Sequence, residues 1–407
     1  MRTALIILLV SALCATASAQ DQQATLAATC TADKGVDHRL HEQLCADLSY
    51  LMRTSREYRV AEEDNLLCAS DEFSPRAVLS DARETIAEAR SNLQSGRAAQ
   101  ARRLAARAVE VLLSLDPWLI DRGPIAEALA LEIEAAVNGG DTAEAEELAV
   151  RAFGLSVRLR RTWREWIQAP ALRQVLATAE PRFDNLPTGR IEVQTREPFA
   201  EVYIDGVLAG VTPLRAHNIK RGDHVVRIRK RGYIPVSRLV RVSPGQQTSL
   251  DVRLAEARNY PAWRQIEVGL GADIGQPVAG PYLRELGALL LLDRIVALRS
   301  SPVEGGVRLE AYLYDLRSGQ LLTQAGRTVT EVGPVARRNA VGALLGTLLN
   351  LAVPELDDGS GEPPIYGTWW FWTGVGAATA AALTLAVVFA ADSEPKPTGK
   401  GAIEIRP

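Results

Sequence analysis

Between Thr368 and Ala391 the chain runs for 24 residues without a charged side chain. As a helix rising about 1.5 Å per residue, that run reaches about 36 Å against a hydrocarbon core of about 30 Å, so it spans a bilayer with some tilt. Tyr366, Trp369, Trp370 and Trp372 crowd its start, where amphipathic rings settle at a headgroup boundary. Acidic Glu355, Asp357, Asp358 and Glu362 precede it, and Lys396, Lys400 and Arg406 follow it. The positive-inside bias therefore places the tail, 392–407, in the cytoplasm, with 355–367 as linker and interface belt and 368–391 as a single transmembrane helix. Gly374, Gly376, Ala378 and Ala380 would let a second helix approach closely, which permits a homodimer without requiring one.

The other end carries the matching signal. Met1-Arg2-Thr3 leads into an apolar run from Ala4 and then Ala17-Ser18-Ala19, a small-x-small cleavage site, so residues 1–19 read as a signal peptide and Gln20 as the mature start. Acylation at Cys14 would need a small residue where Leu13 stands. The expected location is the inner (cytoplasmic) membrane, single-pass, with the bulk of the chain periplasmic. A formal charge of −3 and a pI near 6.0 lack the basic bias of a nucleic-acid binder, and nucleic acid is not an expected partner.

In an oxidising compartment Cys30, Cys45 and Cys68 leave one disulfide and one odd thiol, with the pairing open. Their spacing fits no metal-ligand pattern. His38 and His41 are expected to face solvent, since no ligand partners lie nearby in sequence.

The chain divides by texture into a multidomain α+β protein. From 74 to 187 it is rich in Ala, Leu, Arg and Glu at helical spacing, as in Leu79, Ala82, Ile86, Ala89 and Leu93. Two segments there echo one another, "GRAAQARRLAARAVEVL" from Gly96 and "GDTAEAEELAVRAFGLS" from Gly140. Each places alanines five, nine and twelve residues after its glycine: Ala101, Ala105 and Ala108, then Ala145, Ala149 and Ala152. Glycine permits the tight turn and small residues let a neighbouring helix close in. With the stop at Leu115-Asp116-Pro117, this module resembles tetratricopeptide repeats, although the 44-residue offset departs from the usual spacing of about 34.

Residues 188–256 switch to short alternating runs broken by turn residues, with Asp205-Gly206 as a hairpin turn. The pattern predicts a small β-sandwich or barrel. Gly189-Arg190-Ile191-Glu192-Val193, Ala200 to Gly206, Gly210-Val211-Thr212-Pro213-Leu214, Gly222 to Val226 and Gly232-Tyr233 resemble the PEGA domain, a β-sandwich module of bacterial envelope proteins. The turn that names that family departs here, reading Glu197-Pro198-Phe199-Ala200 without a glycine. The resemblance implies a binding or structural module with no catalytic residues.

Within it, residues 188–254 hold twelve Lys/Arg against six Asp/Glu. Most of that surplus lies in "KRGDHVVRIRKR", at Lys220, Arg221, Arg227, Arg229, Lys230 and Arg231. Period-two alternation predicts Val226 and Ile228 pointing inward, with Arg227 and Arg229 in solvent. These six residues are the candidate contact for peptidoglycan or another anionic envelope polymer or headgroup. No aromatic residue interleaves them, as single-stranded nucleic acid would want.

Residues 20–73 read as strand "ATLAATC", helix "VDHRLHEQLCADLSYLMR" and strand "REYRVAE". Residues 257–354 read as a helix, the apolar strand "ALLLLDRIVAL", a hairpin turning at Ser318-Gly319 and a closing helix. Neither piece has core enough to stand alone. Joined, they resemble the α/β domain of TolB-like envelope proteins through Glu285-Leu286-Gly287-Ala288 and Asp315-Leu316-Arg317-Ser318-Gly319, with the helical and PEGA-like modules inserted.

"GLGADIG" at Gly269 lacks dinucleotide-loop spacing and is expected to be a flexible loop, and no nucleophile-elbow, zincin or Walker sequence occurs. No catalytic residue, cofactor or metal is expected. The reading is a non-enzymatic, membrane-anchored periplasmic binding or scaffold protein contacting envelope components or protein partners. The alternative is an accessory factor for envelope signalling or assembly acting through the TolB-like domain.

Overall fold

The computed structural model describes residues 24–54, 59–61, 74–119, 121–330 and 333–350. The proposed signal peptide, Cys14, Cys68, the membrane helix and its belt residues Tyr366, Trp369, Trp370 and Trp372 lie outside them. Among the described residues no helix is long and apolar enough to cross a membrane.

Strand β1 (Thr25–Ala32) lies parallel to β10 (Arg294–Val303), pairing Leu26 with Arg294 and Ala32 with Ser300. Two segments more than 260 residues apart therefore share one sheet, whose order is β12-β11-β10-β1-β2, with β2 at Arg59–Val60, β11 at Gly306–Asp315 and β12 at Leu321–Val329. Both faces are covered, which is why the middles of the central strands, Leu26 to Ala28 and Ile295 to Leu298, are continuous apolar runs. Leu26, Val296 and Leu298 meet Leu44, Leu48 and Met52 of α1 (His38–Thr54) and Val341 and Leu345 of α10 (Pro334–Leu349). On the opposite face Ala27, Ile295 and Tyr314 meet Trp263 and Leu270 of α8 (Tyr260–Asp273) and Leu283 of α9 (Pro281–Leu289).

Two expectations fail here. The apolar run 288–298 is not one strand: α9 closes at Leu289, Leu291 takes a left-handed φ of 52° in the turn, and β10 starts at Arg294. "GLGADIG" is no flexible loop, because Gly269 to Asp273 finish α8 with Leu270 buried. Gly269 is needed there because the Tyr282 ring lies against it, and a Cβ would fall 2.3 Å from the ring.

The helical insertion comprises α2 (Pro75–Gln94), α3 (Ala98–Ser114), α4 (Gly123–Asn138), α5 (Thr142–Leu155), α6 (Val157–Trp166) and α7 (Pro170–Asp184). Gly96 and Gly140 take φ of 74° and 85° in the turns before α3 and α5, a region open to glycine at no steric cost. The six echoed alanines are all buried, the small stripe against which neighbouring helices close. Asp141 and Ser156 cap α5 and α6, accepting from the Glu144 and Leu159 backbone N–H at 3.0 and 3.1 Å.

The second insertion is a sandwich of two sheets, β6-β3-β9 and β5-β4-β7-β8. Its strands are β3 (Thr188–Thr195), β4 (Glu201–Ile204), β5 (Val207–Val211), β6 (Leu214–Lys220), β7 (Gly222–Arg229), β8 (Val236–Val242) and β9 (Gln247–Val252). Ile191, Val193, Val202, Val226, Ile228 and Val242 fill the space between the sheets. Asp205 and Gly206, at φ of 53° and 88°, make the β4–β5 turn. In the Glu197–Ala200 turn the left-handed position is filled by Phe199 at φ 61°.

Candidate functional site

The basic stretch lies where the three modules meet. Val226 and Ile228 point into the sandwich as alternation requires, but the other face of β7 is also covered, so Arg227 and Arg229 are only 8% and 2% exposed. The expectation that both reach solvent is corrected: the helical insertion and α1 pack over the outer face of the β5-β4-β7-β8 sheet.

Arg227 stacks 4.3 Å from the centre of the Tyr203 ring, and its Nη1 donates to the carbonyls of Asp116 and Leu119, each at 3.1 Å, in the turn between α3 and α4. Asp116 is itself wholly buried, accepting from Ser237 Oγ at 3.1 Å and facing Arg122 Nε at 2.7 Å in an ion pair outside hydrogen-bond alignment. Val225, on the same face, joins the helical core. Arg229 donates to Glu201 Oε2 at 3.1 Å, which also accepts from the Tyr203 hydroxyl at 2.8 Å. Burial alone would raise the Glu201 carboxyl, but Arg229, Arg53 and the Tyr203 hydroxyl outweigh it and hold it below the usual range. Tyr203 moves upward, first through burial and then through the Glu201 charge.

The remaining candidates serve other seams. Arg231 Nη2 donates to the Ala28 carbonyl of β1 at 2.6 Å, and its guanidinium lies 4.8 Å from the Trp263 ring of α8. Lys230 Nζ donates to the Pro198 carbonyl at 2.5 Å. Lys220 Nζ donates to the Asp184 carbonyl and, at 3.4 Å, to that of Leu186, tying the end of α7 to β6. Arg221 alone of the six is exposed, at the rim of a cleft of about 470 Å³ shared with Glu147, Asp223 and Arg241.

From the α/β body, Arg338 donates to the Leu208 carbonyl at 2.6 Å, and Arg39 reaches the Pro213 carbonyl at 2.7 Å. Behind Arg338 sits Asp47, wholly buried on α1, accepting from Arg338 Nε at 2.7 Å and from Arg337. Tyr50, one turn along, faces Tyr203 with ring centres 6.1 Å apart, and burial pushes its hydroxyl up to about 12, Arg338 opposing in part. Asp47 and the Arg337-Arg338 pair were not singled out from sequence. The available signal was an Asp inside the apolar helix run "LCADLSYLM" and a charge pair opening an otherwise apolar helix.

Two histidines have structural roles. His224 Nδ1 faces Asp205 Oδ2 at 2.6 Å and Nε2 faces the Lys220 carbonyl at 2.7 Å, an acceptor at each nitrogen. Burial works against the cation, but Asp205 and the Lys220 carbonyl overcome it and raise the imidazole. His41 is not solvated as expected: it is 9% exposed, with Nδ1 3.0 Å from Ser300 Oγ and Nε2 3.8 Å from Cys45 Sγ, and burial followed by the His38 charge lowers it to about 4. Cys45 pairs with Cys30, linking α1 to β1. Among the described residues no group of His, Cys, Asp and Glu is placed to hold a metal ion.

The sandwich has its counterpart among known families. Residues 188–258 match the PEGA domain. That match begins at β3 and runs two residues beyond the boundary expected from texture, through the Ala257 N–H to Gly232 carbonyl bond that closes the module onto α8. No curated protein matches the chain.

Proposed function

We propose that the protein is a non-enzymatic scaffold of the bacterial cell envelope, held in the inner membrane by residues 368–391 and displaying a three-module body in the periplasm to protein partners. The observation that carries the reading is the joint around Arg227 and Arg231. Buried and part-buried bonds from one β-strand and its following turn reach both the helical insertion and the α/β body, so the modules meet as fixed surfaces and not as beads on linkers. A PEGA-matching module whose basic residues are spent on such bonds acts as a keystone between binding surfaces. An anionic polymer would then rest on Arg221 and its cleft and not on Arg227 or Arg229.

The test uses the full chain with a C-terminal tag in bacterial cells. Protease added to spheroplasts is expected to release a resistant fragment spanning the whole body and leave the tag protected. The variant Arg227→Glu/Arg231→Glu is expected to be cut between modules. A tag digested from outside would overturn the topology, and parent modules that separate on brief digestion would overturn the scaffold reading.

A further inference from the structure

Between α3, α4 and strand β8 lies a cleft of about 430 Å³ that the joint does not use. Glu132 of α4 forms part of its wall and is 7% exposed. Its carboxylate takes part in no hydrogen bond or ion pair among the described residues. An unpaired buried carboxylate is costly, and one opening onto a cavity has the means to acquire a partner from outside. Glu110 of α3 lines the same space, and Val109, Leu113, Val225 and Leu239 supply apolar walls. Leu239 is 57% exposed, a large apolar side chain left at the mouth.

We propose that this cleft seats a lysine or arginine side chain carried on an extended segment of a partner protein, with Glu132 as its counter-ion. Apolar walls with a carboxylate at depth match a side chain that has an aliphatic stem and a cationic head. Two arginines also line the cleft, Arg151, paired with Asp223 at 3.5 Å, and Arg238, which donates to the Ser237 carbonyl at 2.9 Å, while Arg102 nearby is paired with Glu144; none of the three bonds Glu132. An extended segment fits because β8 ends the four-stranded sheet and has no neighbouring strand on its outer side among the described residues. Burial raises the Glu132 carboxyl, Arg151 and Arg102 oppose in part and Glu144 adds to the rise, so an arriving cation would favour the ionised form.

This deepens the scaffold reading by naming a partner chemistry and rests on it. Its test is separate, so a failed titration leaves the protease result standing. The full chain in detergent is titrated calorimetrically with an end-blocked five-residue peptide carrying lysine between leucines, with the same peptide carrying norleucine, and with free 1,5-diaminopentane. The lysine peptide is expected to bind at least about tenfold more tightly than the norleucine peptide, as one charge-assisted hydrogen bond allows. Glu132→Gln is expected to remove that preference while melting no lower than the parent, since it relieves an unpaired carboxylate. Equal affinity for the two peptides, no binding, or a preference surviving in Glu132→Gln would overturn the proposal. So would a Glu132→Gln protein that melts several degrees lower, which makes the carboxylate a structural group, or a diamine that binds as tightly as the peptide.

Discussion

Replacing Arg227 by methionine separates a buried joint from a solvated strand face. Methionine keeps much of the stem volume and its contact with Tyr203, so the change removes the guanidinium and little else. Two carbonyls, Asp116 and Leu119, then lose a donor at 3.1 Å in a region closed to water; that of Asp116 keeps the Leu119 N–H at 3.2 Å, so the Leu119 carbonyl is the one left unmet among the described residues. Leaving that buried acceptor unmet costs about 1–3 kcal/mol, and losing the stacked cation adds about 0.5–2 kcal/mol. Against this stands the relief of no longer desolvating a guanidinium, which returns part of the sum. The net expectation is a loss of about 1–3 kcal/mol, read as a lower urea midpoint by circular dichroism. Faster hydrogen exchange in the 115–119 turn is expected alongside. The control is Arg190→Met on the exposed side of β3, expected to stay within about 0.5 kcal/mol of the parent. If Arg227→Met also stays within that margin, the joint contributes nothing and the argument from burial is refuted.

Other perturbations test neighbouring parts. Asp47→Ala leaves Arg337 and Arg338 buried without their carboxylate and is expected to cost about 3–5 kcal/mol by urea unfolding. Breaking the Cys30–Cys45 link with Cys30→Ala/Cys45→Ala opens a loop of 15 residues. A loss of about 3 kcal/mol is expected, while reductant should have little further effect on that variant's melting. His41 is held near 4 when folded but titrates near 6.5 when unfolded, so its contribution is present above 6.5 and lost as pH falls toward 4. Acid titration of stability should lose up to about 3 kcal/mol over that window, and His41→Gln should flatten the slope. His224 has the opposite sign: its folded value is raised, so its contribution is full below 6.5 and fades as pH rises through the folded value, a trend that His224→Gln should abolish.

Much of this architecture is legible in the sequence because it depends on local rules. The alanine stripes at 101–108 and 145–152, the glycine turns before them and the Asp205-Gly206 hairpin follow from helical period and positive φ, and each appears where those rules put it. The α8 helix is masked by its glycines: Gly269 and Gly271 look like loop residues, but Gly269 is there for the flat approach of Tyr282, a contact made from another helix. The burial of His41 is equally remote in origin, since its partner Ser300 lies in β10. A parallel pairing between β1 and β10 needs no turn signal, so the sequence points to it only indirectly, through the lack of a core in either half and the resemblance of the two halves when joined.

The arginines of β7 fail to follow alternation for a physical reason that a charge count cannot contain. Alternation predicts which face a side chain takes, and Arg227 and Arg229 take the predicted face; what covers that face comes from α1 and the α3–α4 turn. Where separately built modules abut, each brings carbonyls that its own helices and strands leave unpaired, such as those of Leu119 beyond α3, Leu208 at the β5 edge and Ala28 in β1. A hydrophobic residue there would bury those acceptors unmet. Arginine has five donors on a long stem and can bond two carbonyls while its face stacks on an aromatic ring, as Arg227 does on Tyr203. The surplus of positive charge in residues 188–254 is therefore largely matched by backbone oxygens, which carry no formal charge and do not enter the count. A basic strand inserted between two other modules is accordingly read first as mortar, and as a polymer-binding face only at positions such as Arg221 that remain open to water.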